Sequence, residues 1–140
     1  MTPIWPPLNL WAVLVAGVAT FLLGGIWYQA LFGKLWVQLY GYTPEQTQAM
    51  QKARPPAIFF GSMLLAYLVM ATAMGFLVYW AGAQSALEGA LVGLAAWGVA
   101  LAIAITDFIT STKKPGIYYI DCSYQLIFLV MTGIILAVWR

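Results

Sequence analysis

Four polar side chains near the C-terminal end of a very apolar chain are the residues best suited to chemistry. They are Asp107, Asp121, Tyr124 and Gln125, and they lie within or beside apolar runs long enough to cross a membrane. An ionisable group inside a membrane costs about 2.5 kcal/mol or more to insert, so it is a functional candidate. Asp121, Tyr124 and Gln125 recur at i, i+3 and i+4, which places them on one helical face. Two neighbouring carboxylates would favour binding of a proton or a cation.

The same side chains also have structural interpretations, which the sequence leaves open. Both aspartates lie near an expected membrane surface, where they could be hydrated or paired with Lys34, Lys113 or Lys114. Asp121 could instead lie against the free N–H groups of a first helical turn, where the helix dipole favours negative charge. Gln125 could form a hydrogen bond to a neighbouring helix, which contributes roughly 0.5–2 kcal/mol in a membrane.

Catalytic and metal chemistry have little support in this sequence. Histidine, the commonest general base and metal ligand, is absent, and Cys122 is the single cysteine. No nucleophile–base pair, phosphate-binding loop or metal-ligand spacing occurs. We therefore expect no enzymatic activity, no metal site and no cofactor. The net charge of +2 is too small, and the basic residues are too scattered, to predict nucleic-acid binding.

The composition predicts an all-α, polytopic membrane protein. Hydrophobic residues make up 64% of the chain and charged residues only 7%, whereas a soluble domain carries about a quarter charged residues. Four apolar runs predict one domain of four transmembrane helices at about 8–31, 57–80, 86–109 and 117–139. After the first span, apolar residues recur at helical spacing between polar ones in 32–40. This pattern predicts an amphipathic segment at the cytoplasmic interface, ending at Gly41. Thr43 and Gln46 then form a capping-box pattern for a short polar helix.

The distribution of lysine and arginine predicts the orientation of the spans. Basic loops remain in the cytoplasm, so the side that carries more of these residues is the cytoplasmic one. We therefore expect both basic loops in the cytoplasm and both termini outside. The cytoplasmic loops contain Lys34, Lys52, Arg54, Lys113 and Lys114, whereas the outer side contains Arg140 alone.

Small residues along the third span predict a helix-packing face. Their spacing of three or four lets two backbones approach closely, which is how helices associate in lipid. One further step along this face reaches Asp107, which is therefore expected to point into protein. The small residues are Gly89, Gly93, Ala96, Ala100 and Ala104. Anchors at the membrane surface are also predicted near the span ends: Trp27, Tyr28, Lys34, Trp36, Tyr118 and Tyr119.

Three motifs resemble a known family. The first is Gly25-Ile26-Trp27-Tyr28 followed by Leu31-Phe32-Gly33-Lys34-x-Trp36, and the second is Gly89-Ala90-Leu91-Val92-Gly93 followed by Trp97. The third is Ile120-Asp121-x-x-Tyr124-Gln125-Leu126 followed by Met131-x-Gly133-Ile134-Ile135-Leu136. Over nearly the whole chain they resemble the domain-of-unknown-function 1761 family of small bacterial membrane proteins. This resemblance implies four helices, a place in the bacterial inner membrane and no established activity. The family pattern usually has histidine at the position of Gln125, so a histidine that carries a proton in relatives would have no counterpart here.

Three functional hypotheses follow. The first is a structural or accessory subunit, or a homo-oligomer, that packs against itself or a larger membrane complex in the lipid bilayer. The second is a small homo-oligomeric transporter or channel that uses Asp121, together with Asp107, as a proton or cation site. The third is a lipid-, quinone- or pigment-binding module, because seven Trp and eight Tyr offer flat apolar surfaces.

Overall fold

A computed structural model describes residues 6–53 and 55–139 of the chain. Arg54 and Arg140, which contribute to the predicted orientation, lie outside these residues. The described part is helical throughout, with short connections and no strand. Its helices are α1 (Leu10–Gly25), continued by a π-helical segment (Ile26–Leu31), α2 (Gly33–Tyr40), α3 (Pro44–Ala53), α4 (Pro56–Trp80), α5 (Ala86–Thr110) and α6 (Pro115–Val138).

Four of these helical stretches are long and apolar enough to cross a membrane: Leu10–Leu31, Pro56–Trp80, Ala86–Thr110 and Pro115–Val138. The all-α class and the four apolar spans are therefore confirmed. Each observed boundary lies within two residues of the one predicted from hydropathy. The first and last spans each differ by two residues at their start. The first begins at Leu10 because the Asn9 side chain accepts hydrogen bonds from Trp11 N (3.0 Å) and Ala12 N (3.3 Å).

The connection between the first two spans forms as its sequence predicts. Gly41 ends α2 in the left-handed conformation, with φ of 74°, which glycine adopts without steric cost. Thr43 and Gln46 then cap α3 reciprocally, since each backbone N–H donates to the other residue's side chain at 3.0–3.1 Å. The two helices are thereby separated by a fixed turn rather than fused into one.

Helix α6 is the centre of the bundle. It contacts α1, α2, α4 and α5, and half of its spanning segment is buried. Helices α1 and α4 also contact each other, so α1, α4 and α6 enclose the core. Helix α5 lies outside that group and packs almost entirely on α6. The core is formed by small and aliphatic residues of α1 and α4 together with aromatic residues of α6: Ala12, Ala16, Ala71, Met74, Val78, Tyr124 and Phe128.

The contact between α5 and α6 is a contact of backbones. A Cβ atom added at Gly89 would meet the carbonyl oxygen of Gly133, and one added at Gly93 would meet that of Leu129. A Cβ on Gly133 would in turn meet the Gly89 carbonyl. Glycine is therefore required at all three positions. The predicted small-residue face is thus used within the chain, against α6.

Adding one methyl group should destabilise the protein at one glycine of α5 and not at another. Gly93→Ala should lower the free energy of unfolding by about 1–3 kcal/mol, the usual cost of overpacking, because its Cβ meets the α6 backbone. Gly98→Ala is the matched control, since a Cβ there meets nothing within 4 Å. Unfolding in mixed detergent, followed by circular dichroism, measures both. Equal stability of the two variants would contradict the proposed backbone contact.

Candidate functional site

A groove of about 440 Å³ lies between α5 and α6, near the loop that joins them. It begins on the loop side of the glycine contact, where larger side chains replace glycine on both helices. Its apolar walls are Ala100, Ile103, Ala104, Ile117 and Cys122, and its polar groups are Asp107, Lys113, Tyr118, Asp121 and Gln125. Three of the four predicted polar site residues therefore share this groove, and Tyr124 is the one that does not.

Asp121 is the carboxylate of the groove that lies deeper in its span, since Asp107 is only three residues from the end of α5. Asp121 is the seventh residue of α6, about 9 Å from the start of that helix by helical rise. The Tyr28 hydroxyl donates a hydrogen bond of 2.6 Å to Asp121 Oδ1. The Trp36 indole lies near this carboxylate, but its N–H has no partner at hydrogen-bonding geometry among the described residues. Asp121 is thus held by the first span and also lines the groove.

The π-helical segment of the first span brings the partner of Asp121 into place. Its widened turn is closed by the hydrogen bond from Phe32 N to Trp27 O at 2.9 Å. Two consecutive side chains of this segment reach α6, since Trp27 Nε1 donates to Ile120 O at 3.2 Å and Tyr28 donates to Asp121. Segments of this kind are rare and occur frequently at functional sites. The distortion therefore coincides with Asp121, the aspartate of the groove that lies farther from its span end.

Asp107 has a different environment. Its Oδ2 accepts a hydrogen bond of 2.5 Å from the Tyr118 hydroxyl and an ion pair of 3.4 Å from Lys113 Nζ. The Tyr118 hydroxyl also lies 2.8 Å from Ser111 Oγ. Asp107 lines the groove as its helical face predicts, but its side chain is half exposed. The pKa of Lys113 is raised, first by Tyr40 and then by the hydrogen bond to Asp107, so the ammonium stays charged at neutral pH.

The predicted common face of Asp121, Tyr124 and Gln125 is divided between two sides of α6. Tyr124 is buried in the core, where its hydroxyl donates to Thr20 O at 2.8 Å and its ring packs edge-on against Tyr28 and Phe128. Gln125 lines the groove instead, and its carbonyl oxygen is buried with no donor among the described residues. Tyr124 is thus a core residue, whereas Gln125 belongs to the site.

Most of the residues predicted as surface anchors have partners within the chain. Trp27 and Tyr28 bind α6, Trp36 lies beside Asp121, and Tyr118 binds Asp107. Tyr119, 75% exposed, keeps a position suited to anchoring at a membrane surface, as does the exposed Lys34. Ala96, Ala100 and Ala104 are half-buried, and the last two line the groove.

The sequence reasoning did not single out Tyr67, Thr20 or Trp97 as contributors to this region. Tyr67 of α4 packs edge-on against Tyr124, and Thr20 of α1 supplies the carbonyl that receives the Tyr124 hydroxyl. Trp97 of α5 donates from Nε1 to Cys122 O at 2.9 Å, next to the groove. The sequence does place aromatic residues at comparable depth on the spans, which could have indicated that they pack together. Hydropathy alone does not distinguish such residues from aromatic residues that face lipid.

The groove presents acceptors rather than nucleophiles or metal ligands. Within residues 6–53 and 55–139 no three His, Cys, Asp or Glu side chains are grouped as a metal site would require. Its inner part contains the Asp121 carboxylate, and its mouth carries the Lys113–Asp107 pair. Such an arrangement can receive a positively charged group.

Taken together, four apolar spans and an internal polar groove define a polytopic α-helical membrane protein. The family model "Protein of unknown function (DUF1761)" matches residues 11–137, so the chain belongs to that family. No curated protein and no solved structure matches the chain.

Removing the Tyr28 hydroxyl should weaken the attachment of the first span to α6. Tyr28→Phe should lower the free energy of unfolding by about 0.5–2 kcal/mol, the range for hydrogen bonds between membrane helices. The control is Tyr119→Phe, which removes a hydroxyl from an exposed ring and should leave stability unchanged. Both are compared with the unaltered protein by the same detergent titration. A Tyr28→Phe protein as stable as the control would show that the bond to Asp121 contributes nothing.

Proposed function

We propose that the protein is a non-enzymatic membrane transporter or channel subunit that binds a proton or cation at Asp121. The proposal is supported above all by the position of that carboxylate, inside a spanning helix and at the inner end of a groove. Charged groups at such depth are costly and are retained where a pathway or a binding site needs them. The Tyr28 hydrogen bond holds Asp121 Oδ1, and the residue lines the groove from which a cation would approach.

The two aspartates have separate roles in this proposal. Asp107 is neutralised by Lys113 and hydrogen-bonded by Tyr118 at the mouth of the groove, where it is half exposed. It therefore serves to position the loop that closes the α5–α6 hairpin. Asp121 has no lysine at ion-pairing distance among the described residues, so its negative charge is available to a mobile cation.

Substitution of the two aspartates by asparagine distinguishes these roles. Purified protein is reconstituted in liposomes, a potassium diffusion potential is imposed, and a pH-sensitive dye reports proton entry. Asp121→Asn should lower the rate by about ten-fold or more, since losing the charge costs the bound cation at least about 1.4 kcal/mol. Asp107→Asn, the matched control, should retain most of the rate. Wild-type flux no higher than that of protein-free liposomes would refute the proposal, as would full activity of Asp121→Asn.

A second candidate, an accessory subunit or homo-oligomer, is supported by uncovered helix surface. Only 11% of the spanning windows of α4 and α5 is buried within the chain, compared with 50% for α6. The glycine face that first suggested such an association is occupied by α6, so a partner would use the outward faces of α4 and α5. A homo-oligomer in which several copies of the chain together form the transport pathway would combine the two candidate functions. Native mass measurement in mild detergent gives the number of copies.

We further propose that the groove opens toward the cytoplasm of a bacterium, with the termini outside the inner membrane. Lys34, Lys52, Lys113 and Lys114 all lie on the groove side of the spans, which supports this orientation.

Cysteine labelling tests the orientation. In a Cys122→Ala background, Lys114→Cys should be protected from a membrane-impermeant maleimide in intact cells. Gln84→Cys, in the opposite turn, should react. Both positions are exposed, so both should react after the membrane is permeabilised. The reverse pattern in intact cells would invert the proposed topology.

A further inference from the structure

Three buried polar side-chain atoms have no hydrogen-bond partner among the described residues, and all three lie on or beside one face of α6. They are Trp36 Nε1, the Gln125 carbonyl oxygen and Thr132 Oγ1. Gln125 and Thr132 follow Asp121 on the same side of the helix, at i+4 and i+11. Trp36 lies near the Asp121 carboxylate. Leaving a buried polar atom unpaired is costly, so a line of such atoms along one helix needs a physical reason.

Thr132 is the clearest of the three, because it is completely buried, with an exposed fraction of 0%. Inside a helix a threonine hydroxyl ordinarily donates to the carbonyl of the preceding turn. The Thr132 hydroxyl does not make this bond, although its own helix offers it. The other threonines within the described helices all make it, at 2.8–3.1 Å: Thr20, Thr47, Thr72, Thr106 and Thr110.

A second cavity, which we call the far pocket, lies at the opposite end of the same face. Its volume is about 180 Å³, and its lining includes Asn9, Tyr79 and Leu136, at the start of the first span and the ends of α4 and α6. Leu136 follows Thr132 by one turn, so the far pocket begins where the line of unpaired atoms ends. From Asp121 to Leu136 the helix rises about 22 Å, most of the ~30 Å apolar thickness of a bilayer.

The interval between the groove and the far pocket is closed in this structure. Phe128 and Leu129 lie within it and are 8% and 7% exposed. The oxygens of Gln125 and Thr132 are buried as well, so neither cavity reaches them. Water must therefore enter the interval before an ion can cross it. Water that enters would be held, since both oxygens accept hydrogen bonds and the Thr132 hydroxyl also donates one.

The polar groups of the interval suit a proton better than a metal cation. A metal cation sheds its hydration shell only where several oxygens replace it. The unpaired buried oxygens that α6 offers here are one amide and one hydroxyl, because the carbonyls of a helix are already bonded within it. A proton needs only a chain of waters and hydroxyls that both donate and accept. About three waters would span the ~10 Å from Gln125 to Thr132.

We infer that this face of α6 is a proton path, closed in the present structure, in which the Thr132 hydroxyl relays protons between the far pocket and Asp121. The hydroxyl accepts one proton from water on one side as it releases another to water on the other side. The inference rests on the proposed function, because it takes Asp121 as the transport site and assigns the proton as its ligand. The unpaired hydroxyl gains its partners when the path opens and fills with water.

Removing the Thr132 hydroxyl tests the relay. Thr132→Val should lower the Asp121-dependent proton flux into liposomes by about ten-fold or more, a barrier higher by about 1.4 kcal/mol. Thr132→Ser keeps the hydroxyl and should retain most of the flux. Thr72→Val is the matched control and should keep the wild-type rate, because Thr72 donates only to Leu68 O of its own helix at 2.8 Å.

Two further measurements complete the flux experiment. Thr132→Val should unfold at no lower concentration of denaturing detergent than the wild type, since it loses only an unpaired group. Lost flux is then not lost folding. Sodium uptake by the same liposomes should not exceed that of protein-free liposomes. Full proton flux in Thr132→Val overturns the relay, and sodium flux that depends on Asp121 overturns the assignment to protons.

Cysteine labelling detects the path without measuring transport. A thiol reacts with a charged methanethiosulfonate as the thiolate, which requires water beside it. In a Cys122→Ala background in lipid nanodiscs, which leave both membrane surfaces open to the reagent, Thr132→Cys should be modified, and Leu136→Cys should be modified faster. Ile127→Cys is the control, because Ile127 is 41% exposed on the other side of α6 and faces acyl chains. Modification of Thr132→Cys no faster than that of Ile127→Cys overturns the inference.

The path and the proposed function can fail separately. A modified Thr132→Cys together with proton flux that does not depend on Asp121 would refute the transport site and leave the path standing. Flux that depends on Asp121 but is unchanged in Thr132→Val would refute the path and leave the transport site standing.

Discussion

The backbone contact between α5 and α6 is the constraint on which the groove depends. In lipid there is no hydrophobic force to hold two apolar helices together, so close packing and hydrogen bonds must do it. Gly89, Gly93 and Gly133 provide the close packing, and the Trp97 N–H to the Cys122 carbonyl provides a hydrogen bond next to the groove. Because the backbones touch at one end and larger side chains stand between them at the other, a space remains beside Asp121 and Gln125. The polar site is therefore a geometric result of glycines located on the far side of the membrane.

The spans, their caps and the amphipathic connection were predictable because each depends on neighbouring residues in sequence. A run of about 20 apolar residues needs a bilayer wherever it occurs, and the Thr43–Gln46 pair caps its helix through local bonds alone. Asp121 and Gln125 were recognisable as site residues for a similar reason, since an intramembrane polar group is costly in any fold.

The partners of those residues could not be predicted from the sequence. Helical periodicity places Asp121, Tyr124 and Gln125 on one face, but α6 is central, and that face meets α1 on one side and α5 on the other. Whether an aromatic residue near a span end faces lipid or protein depends on the neighbouring helices. Tyr28 and Tyr119 therefore look alike in the sequence, as aromatic residues near a span end. In the structure Tyr28 binds Asp121, whereas Tyr119 is exposed. The π-helical turn that aims Tyr28 has no pattern of its own in the sequence.

The central position of the last helix has a consequence for how the protein is assembled in the cell. Helices α1 and α4 are synthesised first and can pair, but the hydroxyl of Tyr28 finds its partner only in α6, 93 residues later. The ribosome adds about 5–20 residues per second, so the first spans spend several seconds in the membrane before that hydrogen bond can form. Helix α5 reaches the bilayer before α6 and has almost no other surface to pack on. The last two spans therefore depend on each other, and a chain that stops before residue 115 lacks the helix that contacts α1, α2, α4 and α5.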